Sequence, residues 1–181
     1  MERPTVMQGE KVALGILMEQ DIPALLNIFN DRNVTRYLRF PGLIQYPENE
    51  KEFLSRAASS REKELFFAII GKEQNEFMGV VSLHEIDWRN SNAYVAFSIG
   101  KDYWGKGYTT EAVGLIVEYS FYFLNLRKLR SSVLRPNVAS IRVLEKNGFS
   151  LCGTFERHSY APGHGYVDEL FFELFNAEHK F

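Results

Sequence analysis

The stretch that most constrains this chain is Tyr103-Trp104-Gly105-Lys106-Gly107-Tyr108-Thr109-Thr110-Glu111-Ala112. Ahead of it, residues 94–99 (Tyr-Val-Ala-Phe-Ser-Ile) alternate and read as a strand. Behind it, residues 111–121 place apolar side chains at roughly helical spacing. The order is strand, glycine-bearing turn, helix. Two glycines let the backbone turn tightly and bring its N–H groups close to a ligand. The helix start adds unpaired N–H groups and the positive end of a dipole, which together suit a pyrophosphate. Two familiar phosphate motifs are excluded. The P-loop spacing fails because Lys106 stands between the glycines, and the dinucleotide fingerprint fails because position 110 is Thr. A turn whose glycines merely connect two elements has the same local sequence, so both readings stand on this stretch alone.

A second stretch, Leu134-Arg135-Pro136-Asn137-Val138-Ala139-Ser140-Ile141-Arg142-Val143-Leu144-Glu145-Lys146-Asn147-Gly148-Phe149, follows a strand over 130–134. Asn137 suits a helix N-cap and Gly148 a C-cap. With both blocks in view, the chain resembles the GNAT superfamily of acetyl-CoA-dependent N-acetyltransferases, in particular its RimJ/RimL-type branch. That branch carries a Trp-Gly-Lys-Gly-Tyr-x-Thr-Glu-Ala loop, then Asn-x-x-Ser followed by Leu-Glu-Lys-x-Gly-Phe. Both occur here in order, about thirty residues apart. The resemblance extends from about Val12 to Leu174.

A chain of 181 residues reads as a single domain over 1–181, with enough length for a proper core. Hydrophobic content of 45% and charged content of 24% fit a soluble globular protein, and a net charge of −2 gives no basic excess for nucleic acid. The lone Cys152 excludes an intrachain disulfide framework and reads as a small buried hydrophobe. There is no charged-then-apolar leader and no long apolar run, so no membrane partner and a cytoplasmic location are expected.

Read in order, residues 11–17 form a first strand. A helix starts with Asp21 at its N-cap and Pro23 in its first turn. Residues 30–33 interrupt it, and 34–40 form a short helix or turn. A helix over 47–60 precedes strands at 64–71, 77–87 and 93–99, then the glycine turn and its helix. Strands at 151–156 and 165–175 close the sheet around a loop at 157–164. This pattern is α+β. The resemblance sharpens it to a mixed, mostly antiparallel central sheet, split by a V-shaped cofactor gap between two parallel strands, with helices on both faces.

The resemblance also implies the site. Backbone groups of Phe97 and Ile99, with Ser98 beside them, would line the acetyl-CoA arm. Trp104, Gly105, Lys106, Gly107, Tyr108, Thr109 and Thr110 would hold its pyrophosphate, and Asn137 and Ser140 would contact the thioester side. No metal is called for. Arg36, Tyr37 and Phe40 would form one wall of the acceptor cleft, with His158, Tyr160 and His164 facing it. Each of these also has a plain structural role open to it: Asn137 as a cap, the arginines as solvated surface.

One position departs from the branch. An acidic residue usual on the strand before the loop is Tyr94 here. Substitutes are His84 and Glu85, neighbours on opposite faces of one strand, Ser98 as a proton donor to the departing thiolate, His158, His164 and Asp168 on or beside the acceptor loop, and Tyr94 as a hydrogen-bond partner of the amine. At pH 7, deprotonating an α-amine costs about 1 kcal/mol and a lysine several times that, so a missing acid favours an acceptor that loses its proton readily.

The expected activity is acetyl transfer to a primary amine, either a protein N-terminus or a small molecule, by a monomer or homodimer. A non-catalytic acyl-CoA sensor is the reading from another class. A nucleotide-binding protein using the 104–110 loop leaves the second block without a role.

Overall fold

The computed structural model describes residues 3–38 and 41–177. Eight strands form one sheet: β1 (Thr5–Gln8), β2 (Val12–Gly15), β3 (Leu65–Gly71), β4 (Glu76–Asp87), β5 (Asn92–Ile99), β6 (Lys128–Leu134), β7 (Ser150–Ala161) and β8 (Gly165–Phe175). Their spatial order is β1-β2-β3-β4-β5-β6-β8-β7. β5 and β6 are parallel, and every other pair is antiparallel. The helices are α1 (Ile22–Asn30), α2 (Arg32–Thr35), α3 (Pro47–Ser59), α4 (Tyr108–Glu118) and α5 (Val138–Lys146). The expected α+β architecture with one parallel pair is what the chain adopts.

Alternation along the strands sends apolar side chains to both faces. On one face Val12, Leu14, Ile69, Val81 and Val95 pack with Val113 and Ile116 of α4 and Leu144 of α5. On the other, α1 buries Ile22, Leu25 and Ile28 while contacting β4 and α3. Among the described residues, no helix is long and apolar enough to cross a membrane.

Several elements differ from the sequence reading. β1 was not foreseen; its four residues are held by pairing to β2. Asp21 does precede α1, but its carboxylate accepts from the Met18 N–H at 2.8 Å and pairs with Arg3 instead of capping the helix. The break after α1 is a single turn of helix, α2, capped by the Asp31 carboxylate on the Asn33 N–H at 2.7 Å. α4 runs on into a π-helical turn, Tyr119–Phe123.

The largest difference lies at the end of the sheet. Residues 157–161, read as loop, belong to β7. A bulge between Phe155 and Ser159 absorbs Glu156, Arg157 and His158, with Arg157 at φ 47°. Pairing then resumes from Ser159↔Val167 to Ala161↔Gly165, leaving a tight turn. Because β7 is an edge strand, Cys152 is exposed and not buried as expected.

Candidate functional site

β5 and β6 pair only through Asn92↔Lys128, Ala93↔Leu129 and Tyr94↔Arg130, and then splay apart. The Gly100 N–H bonds across to the Met78 carbonyl. Even-numbered residues of β5 therefore bond to β4, and residues 95, 97 and 99 turn their N–H and C=O toward the opening. Two side-chain bridges close the fork at its narrow end. Ser131 Oγ donates to the Val95 carbonyl at 2.9 Å, and the Tyr94 hydroxyl accepts from the Ser132 N–H at 2.8 Å. From Tyr94 to Ile99 the open edge of β5 spans about 17 Å.

At the wide end of the fork lies the glycine turn. Trp104 Nε1 donates to the Ile99 carbonyl at 3.1 Å, fastening the turn to the end of β5. Gly105 and Gly107 adopt φ of 74° and 87°. A Cβ on Gly105 would meet nothing within 4 Å, and one on Gly107 would project toward Lys11 Nζ at 3.6 Å. The backbone here is thus bare on its outer side, and α4 begins at Tyr108 with its free N–H groups pointing into the same space. Thr109 and Thr110 line it. Lys106 does not: its ammonium turns back onto the Asp102 carbonyl at 2.9 Å. Tyr108 is not among the lining residues either; its ring packs edge-on to Tyr103. Burial, then the Glu76 carboxylate at 2.9 Å, raise the Tyr103 phenol to a pKa of about 12.

α5 forms the facing wall. The Asn137 side chain caps it, accepting from the Ser140 N–H at 3.3 Å, and both residues line the cleft. Arg142 and Lys146, one turn apart on α5, also line it and were not foreseen. Asn147 Nδ2 donates to the Thr110 carbonyl at 3.1 Å, locking the end of α5 to the first turn of α4. The whole cleft encloses about 600 Å³. Ser98 and Phe97 lie on its floor, and Ser98 Oγ is buried with no hydrogen-bond partner among the described residues. A buried hydroxyl without a partner costs roughly 1–3 kcal/mol, which a polar ligand in the fork would recover. An elongated ligand with a diphosphate at one end fits this cleft.

Arg36 and Tyr37, in the turn that follows α2, line the same cleft. The Tyr37 hydroxyl meets His164 Nε2 at 3.2 Å, so the β7–β8 turn and the α2 segment touch above the fork. Phe40 lies outside the described residues. Tyr160 is exposed and packs edge-on against Tyr166, and His158 packs on Phe155. Neither lines the cleft.

The substitutes for the missing acid are placed as follows. His84 is committed on both sides, with Nδ1 at 3.0 Å from Glu64 and Nε2 at 2.8 Å from Ser82. Glu85 sits on a bulge at φ 48° and pairs with Arg130 at 2.7 Å, exposed. Neither lines the cleft. Tyr94 stands at the closed end, its hydroxyl also 2.8 Å from Ser132 Oγ. Behind it lies Glu169 of β8, which accepts from Ser132 Oγ at 2.5 Å and Ser159 Oγ at 2.9 Å. Nothing in the sequence singles out Glu169, because Asp168 and Glu173 stand in the same strand. The neighbouring Asp168 is held below the ordinary carboxylate range, chiefly by the Arg157 N–H and then by Arg135.

The chain matches the model of the acetyltransferase (GNAT) domain over residues 12–150. The N-acetyltransferase p20 of Bacillus licheniformis is 28% identical over 171 residues, covering 94% of this chain and 96% of that protein. Two solved structures superpose closely. Spermidine N-acetyltransferase from Vibrio cholerae in complex with CoA and spermine gives a TM-score of 0.85 at 22% identity, over 94% of this chain and 99% of that one. Ribosomal-protein-S5-alanine acetyltransferase from Vibrio fischeri gives 0.82 at 20% identity, over 97% and 98%.

Proposed function

The chain belongs to the GNAT acetyltransferase family, and from that premise we propose that it moves the acetyl group of acetyl-CoA to a primary amine, at a protein N-terminus or on a small molecule. The observation that carries this reading is the fork itself: an open β5 edge ending in a bare glycine turn, with the buried Ser98 hydroxyl lacking a partner among the described residues. When bound, acetyl-CoA supplies an activated thioester carbonyl.

The residues divide the work. N–H groups of the 104–110 turn and the start of α4 bind the pyrophosphate. The free N–H and C=O of Phe97 receive the pantetheine amides as a further strand would. An outward N–H of β5 stabilises the oxyanion. Ser98 Oγ, buried without a partner among the described residues, gives a proton to the departing sulfur. The acceptor enters beneath the Tyr37–His164 contact, with Arg36 beside it. The relatives named for spermidine and for a ribosomal protein support an amine acceptor and leave two classes of it. Arg36, Arg142 and Lys146 line the cleft with positive charge, which favours an acceptor that brings a carboxylate or an uncharged body over a polyamine.

The test is thiol release from acetyl-CoA against peptides with free N-termini, polyamines, amino sugars and amino acids, at pH 7 and pH 9. Turnover with one class names the acceptor. Failure of acetyl-CoA to bind in calorimetry overturns the assignment.

A further inference from the structure

We propose that Glu169 is the proton acceptor of the transfer, reached from the fork through Tyr94 and Ser132. This inference rests on the acetyl-transfer reading and supplies the acid that its strand lacks. Three side chains from three strands line up: Tyr94 on β5, Ser132 on β6 and Glu169 on β8. The Tyr94 hydroxyl lies 2.8 Å from Ser132 Oγ, and Ser132 Oγ lies 2.5 Å from Glu169 Oε1.

The direction of these bonds is fixed by counting protons. An ionised carboxylate only accepts, so the one Ser132 hydroxyl proton goes to Glu169. Ser132 Oγ therefore accepts the Tyr94 proton. The Tyr94 oxygen already accepts the Ser132 N–H, and one lone pair remains. Every hydroxyl in the chain thus points its proton toward Glu169, and Tyr94 itself stands in the last β5–β6 pair, where the two strands part, just behind the residues that line the cleft. Networks of this kind polarise their members cooperatively.

The step balances as three concerted hops. The acceptor ammonium gives a proton to the Tyr94 oxygen, Tyr94 passes its own proton to Ser132, and Ser132 passes its own to Glu169. The amine is left neutral with a free electron pair, and Glu169 becomes a carboxylic acid. The amine nitrogen then bonds to the thioester carbonyl carbon as the carbon–sulfur bond breaks.

Other charged groups face this path without replacing it. Arg130 lies over the Tyr94 ring at 6.0 Å. His84, paired with Tyr94 across β4, is committed to Glu64 and Ser82. His158 Nε2 stands 3.9 Å from Glu169, and Ser159 holds the second carboxylate oxygen. Glu169 is positioned by Ser132 of β6 and Ser159 of β7 and retains 19% exposure, a route by which its proton returns to solvent.

The test compares wild type with Glu169→Gln, Ser132→Ala and Tyr94→Phe, using the fastest amine of the panel, with kcat/KM followed from pH 6 to 10. Wild type is expected to deprotonate the ammonium form and to be flat above neutrality up to the pKa of the amine. Each variant is expected to lose about 100-fold at pH 7 while binding acetyl-CoA within twofold of wild type by calorimetry. Each must then use the neutral amine, so its deficit closes about tenfold per pH unit. A constant ratio at all pH, or an unchanged rate, overturns the inference while leaving acetyl transfer intact. Wild type that binds acetyl-CoA and turns over no amine overturns both.

Discussion

The indole N–H of Trp104 donates to the carbonyl of Ile99 at 3.1 Å, so the glycine turn closes the last outward acceptor on β5 with its own side chain. The turn is consequently tied to the strand on one side and to α4 on the other, and its bare backbone is held in place before any ligand arrives. Trp104→Phe keeps the ring and removes the donor. A hydrogen bond of this kind is worth about 1 kcal/mol, so acetyl-CoA Kd is expected to rise roughly fivefold in isothermal titration, with little change in Tm.

Gly107 tests the anion site itself. Its φ of 87° is a left-handed conformation at the entry to α4. Gly107→Glu adds about 1–2 kcal/mol of backbone strain and sets a carboxylate at the proposed pyrophosphate site. The variant is expected to keep its far-ultraviolet circular dichroism and to lose acetyl-CoA affinity by more than about 100-fold. Retained affinity in the folded variant would show that the diphosphate lies elsewhere.

Leu144 carries the packing of α5 onto the core. It is fully buried. Leu144→Ala should cost about 2–5 kcal/mol, or roughly 5–15 °C in Tm for a chain of this size. A thermal scan at pH 7 checks it. A loss under 1 kcal/mol would mean that α5 is not packed as described.

Glu50 on α3 is buried, and burial raises its carboxyl above the ordinary range. The folded state then holds the proton more tightly than the unfolded one, and ionisation opposes folding. This penalty is absent below the unfolded pKa and complete above the folded one. Glu50→Gln removes it, so Tm is expected to rise by roughly 1–2 °C at pH 7. The gain should vanish at pH 3.5, where both forms are neutral. A gain of the same size at both pH values would assign the effect to packing.

Local chemistry made part of this protein legible. Tyr108, the first residue of α4, follows Gly107, and Asn137 caps α5, both as their residue types suggest. Phe97, Ser98, Thr109, Thr110, Asn137 and Ser140 come together in one cleft. What was not legible depends on register between distant segments. Arg157 and His158 read as loop because a bulge hides the period of β7. Cys152 reads as core because only the sheet order shows that β7 is an edge. Lys106 stands between two glycines but turns to the Asp102 carbonyl, a rotamer that sequence does not encode. Glu169 differs from Glu173 of the same strand only in its partners: Ser132 and Ser159 for one, Lys128 for the other.

The first turn of α4 contains Glu111, an anion in the place where a negative cofactor would be drawn by the helix. Left free, it would cancel part of the positive field at that end. Its two oxygens instead accept the backbone N–H of Lys11, at 3.0 and 3.2 Å, in the turn between β1 and β2. Lys11 Nζ in turn reaches the Lys106 carbonyl at 3.3 Å. The amino-terminal hairpin therefore hydrogen-bonds the helix's own carboxylate and sets an ammonium beside the glycine turn. Trimming the chain before Val12 would change the electrostatic potential of a cleft that those residues do not line.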